Sequence, residues 1–156
     1  DIFNKIEKEK EEYIVLCRSF GCMIFIELLK DSNLSFDFLK KVIFWGPSPY
    51  YLWYEYLFRQ FNEDIFKEKK VRVSQSLFNE LIPFELSIQD INDKIQSKIY
   101  ITSGQEDSDY PKSFHKTLKE IKDNNKLKIK LPKRIKGLKH AVTEPNNEYF
   151  DLIFNV

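Results

Sequence analysis

Short continuous apolar runs recur along the chain, each stopped by turn residues and followed by a stretch with helical spacing. The first is Tyr13-Ile14-Val15-Leu16-Cys17. Such a run suits a strand buried on both faces, as in a parallel sheet. Before it lies a polar segment, residues 1–12, with Ile2, Phe3 and Ile6 on one helical stripe. After it, Arg18 to Gly21 form a turn, and residues 22–30 have helical length, ended by Asp31-Ser32-Asn33. Lys41-Val42-Ile43-Phe44-Trp45 is a second buried strand, stopped by Gly46-Pro47-Ser48-Pro49.

Residues 50–68 are aromatic-rich and read as a helix, and 74–86 as another that Pro83 bends or divides. Lys98-Ile99-Tyr100-Ile101-Thr102 is the third strand, turned by Ser103-Gly104. Residues 113–125 form an amphipathic helix bearing Phe114, Leu118 and Ile121. Lys126-Leu127-Lys128-Ile129-Lys130-Leu131 alternates with period two, so it reads as a half-exposed fourth strand. Its lysine face guards a sheet edge. Residues 145–156 close the chain as a helix, with Tyr149, Phe150, Leu152 and Ile153 as its apolar side.

Strands alternating with helices predict an α/β fold, a parallel sheet flanked by helices. No repeat, low-complexity tract or linker interrupts it, so residues 1–156 read as a single domain. A short aromatic-rich cap segment falls at about 47–90.

Composition narrows the functional classes. Of 156 residues, 42% are hydrophobic and the formal net charge is +1, which excludes a disordered chain. With 25 basic and 24 acidic residues there is no global bias toward nucleic acid. No apolar run has the length of a membrane span, and Asp1 opens a charged segment rather than a signal peptide. Two Cys make no disulfide scaffold; Cys17 and Cys22 read as small buried thiols in a reducing compartment, placing the protein in the cytoplasm. So few Cys and His allow no zinc site at any usual spacing; the triad chemistry read below needs no metal or organic cofactor.

The turn after the first strand, Cys17-Arg18-Ser19-Phe20-Gly21, has the x-x-Ser-x-Gly form of a nucleophile elbow. A turn this tight asks for small flanking residues and holds Ser in a strained conformation. A helix N-terminus beside it favours negative charge. A Ser nucleophile needs a base, and the base an orienting acid. The turn after the third strand supplies Asp107 and Asp109 within Gly104-Gln105-Glu106-Asp107-Ser108-Asp109-Tyr110-Pro111. The loop after the fourth supplies His140 in Gly137-Leu138-Lys139-His140-Ala141. Each lies just past a strand, at the carboxyl edge where open α/β sheets bind ligands. A bland alternative makes Ser19 a helix N-cap. The chain's other histidine, His115, reads as a surface residue.

With these residues on view, the chain resembles the α/β-hydrolase family, over nearly its whole length but only over the C-terminal half of that fold. The resemblance rests on Cys17-Arg18-Ser19-Phe20-Gly21, on Gly104-x-x-Asp107-x-x-x-Pro111, and on Lys139-His140-Ala141 with Glu144-Pro145 downstream. It implies an α/β-hydrolase-like sheet lacking the N-terminal strands. It also implies Ser19 as nucleophile, Asp107 as orienting acid with Asp109 as its rival, His140 as general base, and the Phe20 amide as one oxyanion donor. The implied reaction is serine hydrolysis of a carboxylic ester or thioester, on a small-molecule or carrier-bound acyl substrate. An acyltransferase with the same triad, or a hydrolase-like interaction module without turnover, are the other readings. Two departures stand out: Cys17 replaces the first glycine of the elbow, and only twelve residues precede Tyr13, where the family places a strand and a second oxyanion donor.

Three features stay open in their meaning. The aromatic segment, Trp45 included, lines an acyl pocket and touches substrate, or packs a cap onto the core. The run 126–139, seven basic residues and no acid, is a solvated edge strand or an anion-binding patch. Arg18 reaches a substrate carboxylate or phosphate, or pairs with a nearby acid. Finally, an apolar strand at Tyr13–Cys17 with no partner for its outer edge leads us to expect a fragment, or one chain of an assembly whose other part covers that edge.

Overall fold

A computed structural model describes Lys5 and residues 8–47 and 83–155. The helices expected at 50–68 and across most of 74–86, and with them most of the cap, lie outside the described residues. So do Ile2, Phe3 and Ile6.

The described elements run β1 (Tyr13–Arg18), α1 (Phe20–Leu28), β2 (Leu39–Trp45), α2 (Phe84–Ser87), a 3-10 turn (Ile88–Asp90), α3 (Asp93–Gln96), β3 (Ile99–Thr102), α4 (Lys112–Asn125) and α5 (Asn147–Phe154). The strands form a parallel sheet in the order β1-β2-β3. Side chains alternate across it. Tyr13, Val15, Cys17, Val42, Phe44, Ile99 and Ile101 pack on one face with α1, α2 and α4. Trp45 packs on the other with Ile135, Leu138 and the α5 residues Tyr149 and Leu152. The result is a sheet between two layers of helix, an α/β fold. Full burial of Val42, Ile43 and Phe44 contributes about 1.5–3 kcal/mol each. Among the described residues no helix is long and apolar enough to cross a membrane.

One expectation about the strands changes, and one keeps its condition. Among the described residues β1 is only partly covered, with Leu16 44% exposed and the residues before it half-buried, on the strand whose outer edge was expected to be covered by a further segment or chain. Among the described residues β1 is the outer strand, so only its α1 face and its β2 edge are covered. The alternation at 126–131 is present, with Leu127 and Ile129 buried and the lysines between them exposed. Yet pairing is confined to Lys130, which accepts from the Ile101 amide at 2.9 Å and donates to Ile99 O at 2.8 Å. A second bridge, Gly104 with Ile135, resumes the parallel pairing beyond the end of β3, so the segment runs beside it in single contacts rather than as a continuous strand. Pro83, read as bending or dividing a helix, stands at the N-cap of α2, and residues 74–82 before it lie outside the described residues. The short α3 is too brief for a periodic signal, but Asn92 marks its start: its side chain accepts from the Ile95 amide at 3.0 Å.

Lys41 is the exception within the buried run of β2. It is 1% exposed, and its Nζ reaches across to donate to Leu152 O and Asn155 O at the C-terminal end of α5. It thereby pins α5 to the sheet and supplies donors to carbonyls that a helix end leaves unpaired.

Candidate active site

The parallel register places Arg18, Trp45 and Thr102 in one row across the three strands. The next residues, Ser19, Gly46 and Ser103, therefore stand together along the carboxyl edge. Ser19 has φ 52° and ψ −125°, a backbone state that residues with a Cβ seldom occupy and that costs about 1–3 kcal/mol. It is held there by its own amide, which donates to Trp45 O at 3.2 Å, and by its carbonyl, which accepts from the Cys22 amide at 3.0 Å. The Cys22 thiol donates to the same Trp45 O at 3.7 Å. The Ser19 side chain makes no capping bond to α1, so the strain is not explained by a helix N-cap.

The turn after β3 carries Asp107, whose side chain is wholly buried. Its Oδ1 accepts from the amides of Asp109 at 2.9 Å and Tyr110 at 3.2 Å. Its Oδ2 is 3.0 Å from His140 Nδ1. Asp109 Oδ2 lies 4.0 Å from the same nitrogen and its side chain is 60% exposed, so Asp107 is the acid in hydrogen-bond contact. The Asp107 hydrogen bond holds the His140 imidazole above its ordinary pKa of 6.5, against partial burial. The charges of Asp107 and Asp109 act in the same direction, and Arg18 opposes them. With Nδ1 engaged, Nε2 is the nitrogen left to exchange a proton.

Gly46, read from sequence only as a strand stop, makes this pair possible. It has φ +58°, and a Cβ there would fall 2.6 Å from Asp107 Oδ2 and 2.9 Å from His140 Nδ1. The signal was a glycine ending the central strand, but its purpose depends on two loops far away in sequence. Gly104 works similarly: a Cβ would lie 1.8 Å from Leu138 O. That close approach lets the Glu106 amide donate to Leu138 O at 3.0 Å and the Gln105 amide to Ile135 O at 2.8 Å. At Gly21, a Cβ would meet nothing within 4 Å among the described residues.

Trp45, read as touching substrate or as packing onto the core, lies in the packed layer against α5. It is 1% exposed, its ring meets Tyr149 edge to face at 5.0 Å, and its Nε1 donates to His140 O at 3.0 Å. It supports the histidine loop from below. Arg18 is exposed, on the same face, and its charge is felt at both His140 and Tyr149. Burial pushes the Cys17 thiol up to about 12 and Cys22 well above its ordinary range, which favours the thiol over the thiolate in both. His115 is half-buried rather than superficial, with Nδ1 2.8 Å from the buried Tyr110 hydroxyl, and burial lowers its pKa. Among the described residues, Asp107, Asp109 and His140 bring one ligand atom each to within 4.8 Å of one another. To hold a metal, Asp107 and His140 would have to surrender their mutual hydrogen bond.

An α/β sheet of this topology, with these turns at its carboxyl edge, is that of the α/β-hydrolase fold, and solved structures agree. The chain superposes on an E-2-(acetamidomethylene)succinate hydrolase with TM-score 0.60 at 10% identity, covering 99% of this chain and 70% of that one. Against a monoacylglycerol lipase from Paleococcus ferrophilus the values are 0.53 and 17%, covering 97% and 68%. Against an acylaminoacyl peptidase from Pyrococcus horikoshii they are 0.54 and 12%, covering 91% of this chain but only 22% of the peptidase. No family model and no curated protein matches the sequence.

Proposed function

We propose that the protein is a serine hydrolase that cleaves a carboxylic ester or thioester through an acyl-enzyme. The observation that carries this reading is the strained Ser19 at the same sheet edge as a hydrogen-bonded Asp107–His140 pair. In the proposed cycle, His140 Nε2 takes the Ser19 hydroxyl proton as Oγ attacks the acyl carbonyl. Asp107 holds the imidazole in the tautomer with its proton on Nδ1 and stabilises the imidazolium. The Phe20 amide, at the positive end of α1, faces the charge developing on the carbonyl oxygen. His140 then returns its proton to the leaving alcohol or thiol. Water, activated by the same nitrogen, releases the acid. Arg18 adds an exposed cation one residue before the nucleophile, suited to an acyl substrate bearing a carboxylate or phosphate. The structural neighbours support the reading by fold, each being named a hydrolase, lipase or peptidase.

The test is pre-steady-state hydrolysis of p-nitrophenyl butyrate and of a butyryl thioester. The expected result is a burst of leaving group approaching one equivalent per chain, absent in Ser19→Ala. Equal rates from Ser19→Ala and the parent protein would contradict it and favour a hydrolase-like interaction module without turnover.

A further inference from the structure

We propose that Arg134 is a positioning residue for this site, its guanidinium clamping the turn at 103–107 in the arrangement that sets the Asp107 carboxylate against His140. The six lysines of the basic run 126–139 are exposed, whereas Arg134 is drawn inward. Its Nε donates to Ser103 Oγ at 3.1 Å and to Gly104 O at 3.0 Å. Its Nη2 donates to Gly104 O at 2.6 Å and to Asp107 O at 2.9 Å. One planar fork thus ties together the first, second and last residues of the turn, which a lysine ammonium lacks the geometry to do. Behind it, the guanidinium carbon sits 5.8 Å from the ring of Tyr110, whose amide itself donates to Asp107 Oδ1. The turn is therefore fixed from its carbonyl side by Arg134 and from its carboxylate side by two amides.

This arrangement separates geometry from charge. The charges acting on His140 are those of Asp107, Asp109 and Arg18, while the Arg134 charge is felt at Tyr110 and His115. Removing Arg134 reaches His140 by letting Asp107 move. The kinetic consequence rests on the proposed hydrolase reading; the effect on His140 does not.

The experiment compares the full chain with Arg134→Ala, Arg134→Lys and Ser103→Ala. It follows His140 ring resonances by NMR against pH, the thermal midpoint, and kcat and KM for p-nitrophenyl butyrate. In Arg134→Ala the His140 midpoint falls toward 6.5 and kcat drops about 10- to 100-fold with KM little changed. Arg134→Lys keeps the charge but not the fork, and fails to restore either value. Ser103→Ala, which removes one contact, gives a smaller shift in the same direction and serves if Arg134→Ala does not fold. A lowered thermal midpoint with an unmoved His140 titration would overturn the proposal, as would full restoration by lysine. Absence of turnover in the parent protein, with the His140 shift still dependent on Arg134, would refute the hydrolase reading and leave the clamp standing.

Discussion

Gly46→Ala places one methyl group against the centre of the site. The new Cβ would lie 2.6 Å from Asp107 Oδ2 and 2.9 Å from His140 Nδ1, where ordinary contact begins near 3.4 Å. The carboxylate must retreat by about 0.8 Å, and the imidazole by a smaller step, so the methyl wedges into a hydrogen bond that is now 3.0 Å long. Beyond about 3.5 Å that bond is lost. Loss of a hydrogen bond to a buried charged group costs about 1.5–3 kcal/mol. Alanine at φ +58° adds about 1–2 kcal/mol of backbone strain. For a chain of this size the combined effect lowers the thermal midpoint by roughly 10 °C. His140 loses its acidic partner, so its titration midpoint moves down toward 6.5, and kcat falls about 100-fold. Calorimetry, NMR titration of His140 and ester hydrolysis read the three effects separately. Gly21→Ala is the control: with nothing within 4 Å among the described residues and a place in α1, it should raise stability by up to about 1 kcal/mol. A Gly46→Ala protein with the parental midpoint and an unshifted His140 would refute the packing argument.

Other outcomes follow from the same geometry. Ser19→Gly relieves a strained φ of 52° and should stabilise the fold by about 1 kcal/mol in urea unfolding while abolishing the acyl burst. Because the native pKa of His140 is raised, its protonation favours the folded state: that stability is present below 6.5 and lost as pH rises through the native value. The rate requires the neutral imidazole and so climbs over the same window; Asp107→Asn should remove the stability trend and shift the rate profile to lower pH. Lys41→Met leaves the carbonyls of Leu152 and Asn155 without their donor, which should cost about 1–3 kcal/mol and speed amide exchange across α5 selectively.

How much of this is legible in sequence depends on whether the cause is local. The run Val42-Ile43-Phe44 announces a central strand because every one of its side chains is buried, whichever face it points to. Leu127 and Ile129 alternate with lysines because one face of that segment meets the core and the other meets water. Ser19 and Asp107 stand out because each follows a strand, and His140 because it follows the alternating segment 126–131 that bridges β3 at Lys130; a parallel sheet brings strand ends to one edge. The apolar run of β1 reads as a covered strand, and among the described residues only its β2 edge and its α1 face are covered. Gly46 and Arg134 were not legible in their roles. A glycine after a strand looks like a stop, and an arginine among lysines looks like surface charge, until the loops at 103–107 and 135–140 fold onto them. Lys41 looks like the polar lead-in to a strand, and only α5, more than a hundred residues on, explains its burial.

The central claim is that Ser19 is a nucleophile activated by the Asp107–His140 pair. The most direct measurement is reaction of the full chain with a fluorophosphonate probe, followed by peptide mass spectrometry. The account predicts one phosphonyl group per chain, on Ser19, lost in Ser19→Ala and strongly slowed in His140→Ala. An unlabelled protein, or labelling that persists at the same rate in Ser19→Ala, would contradict it.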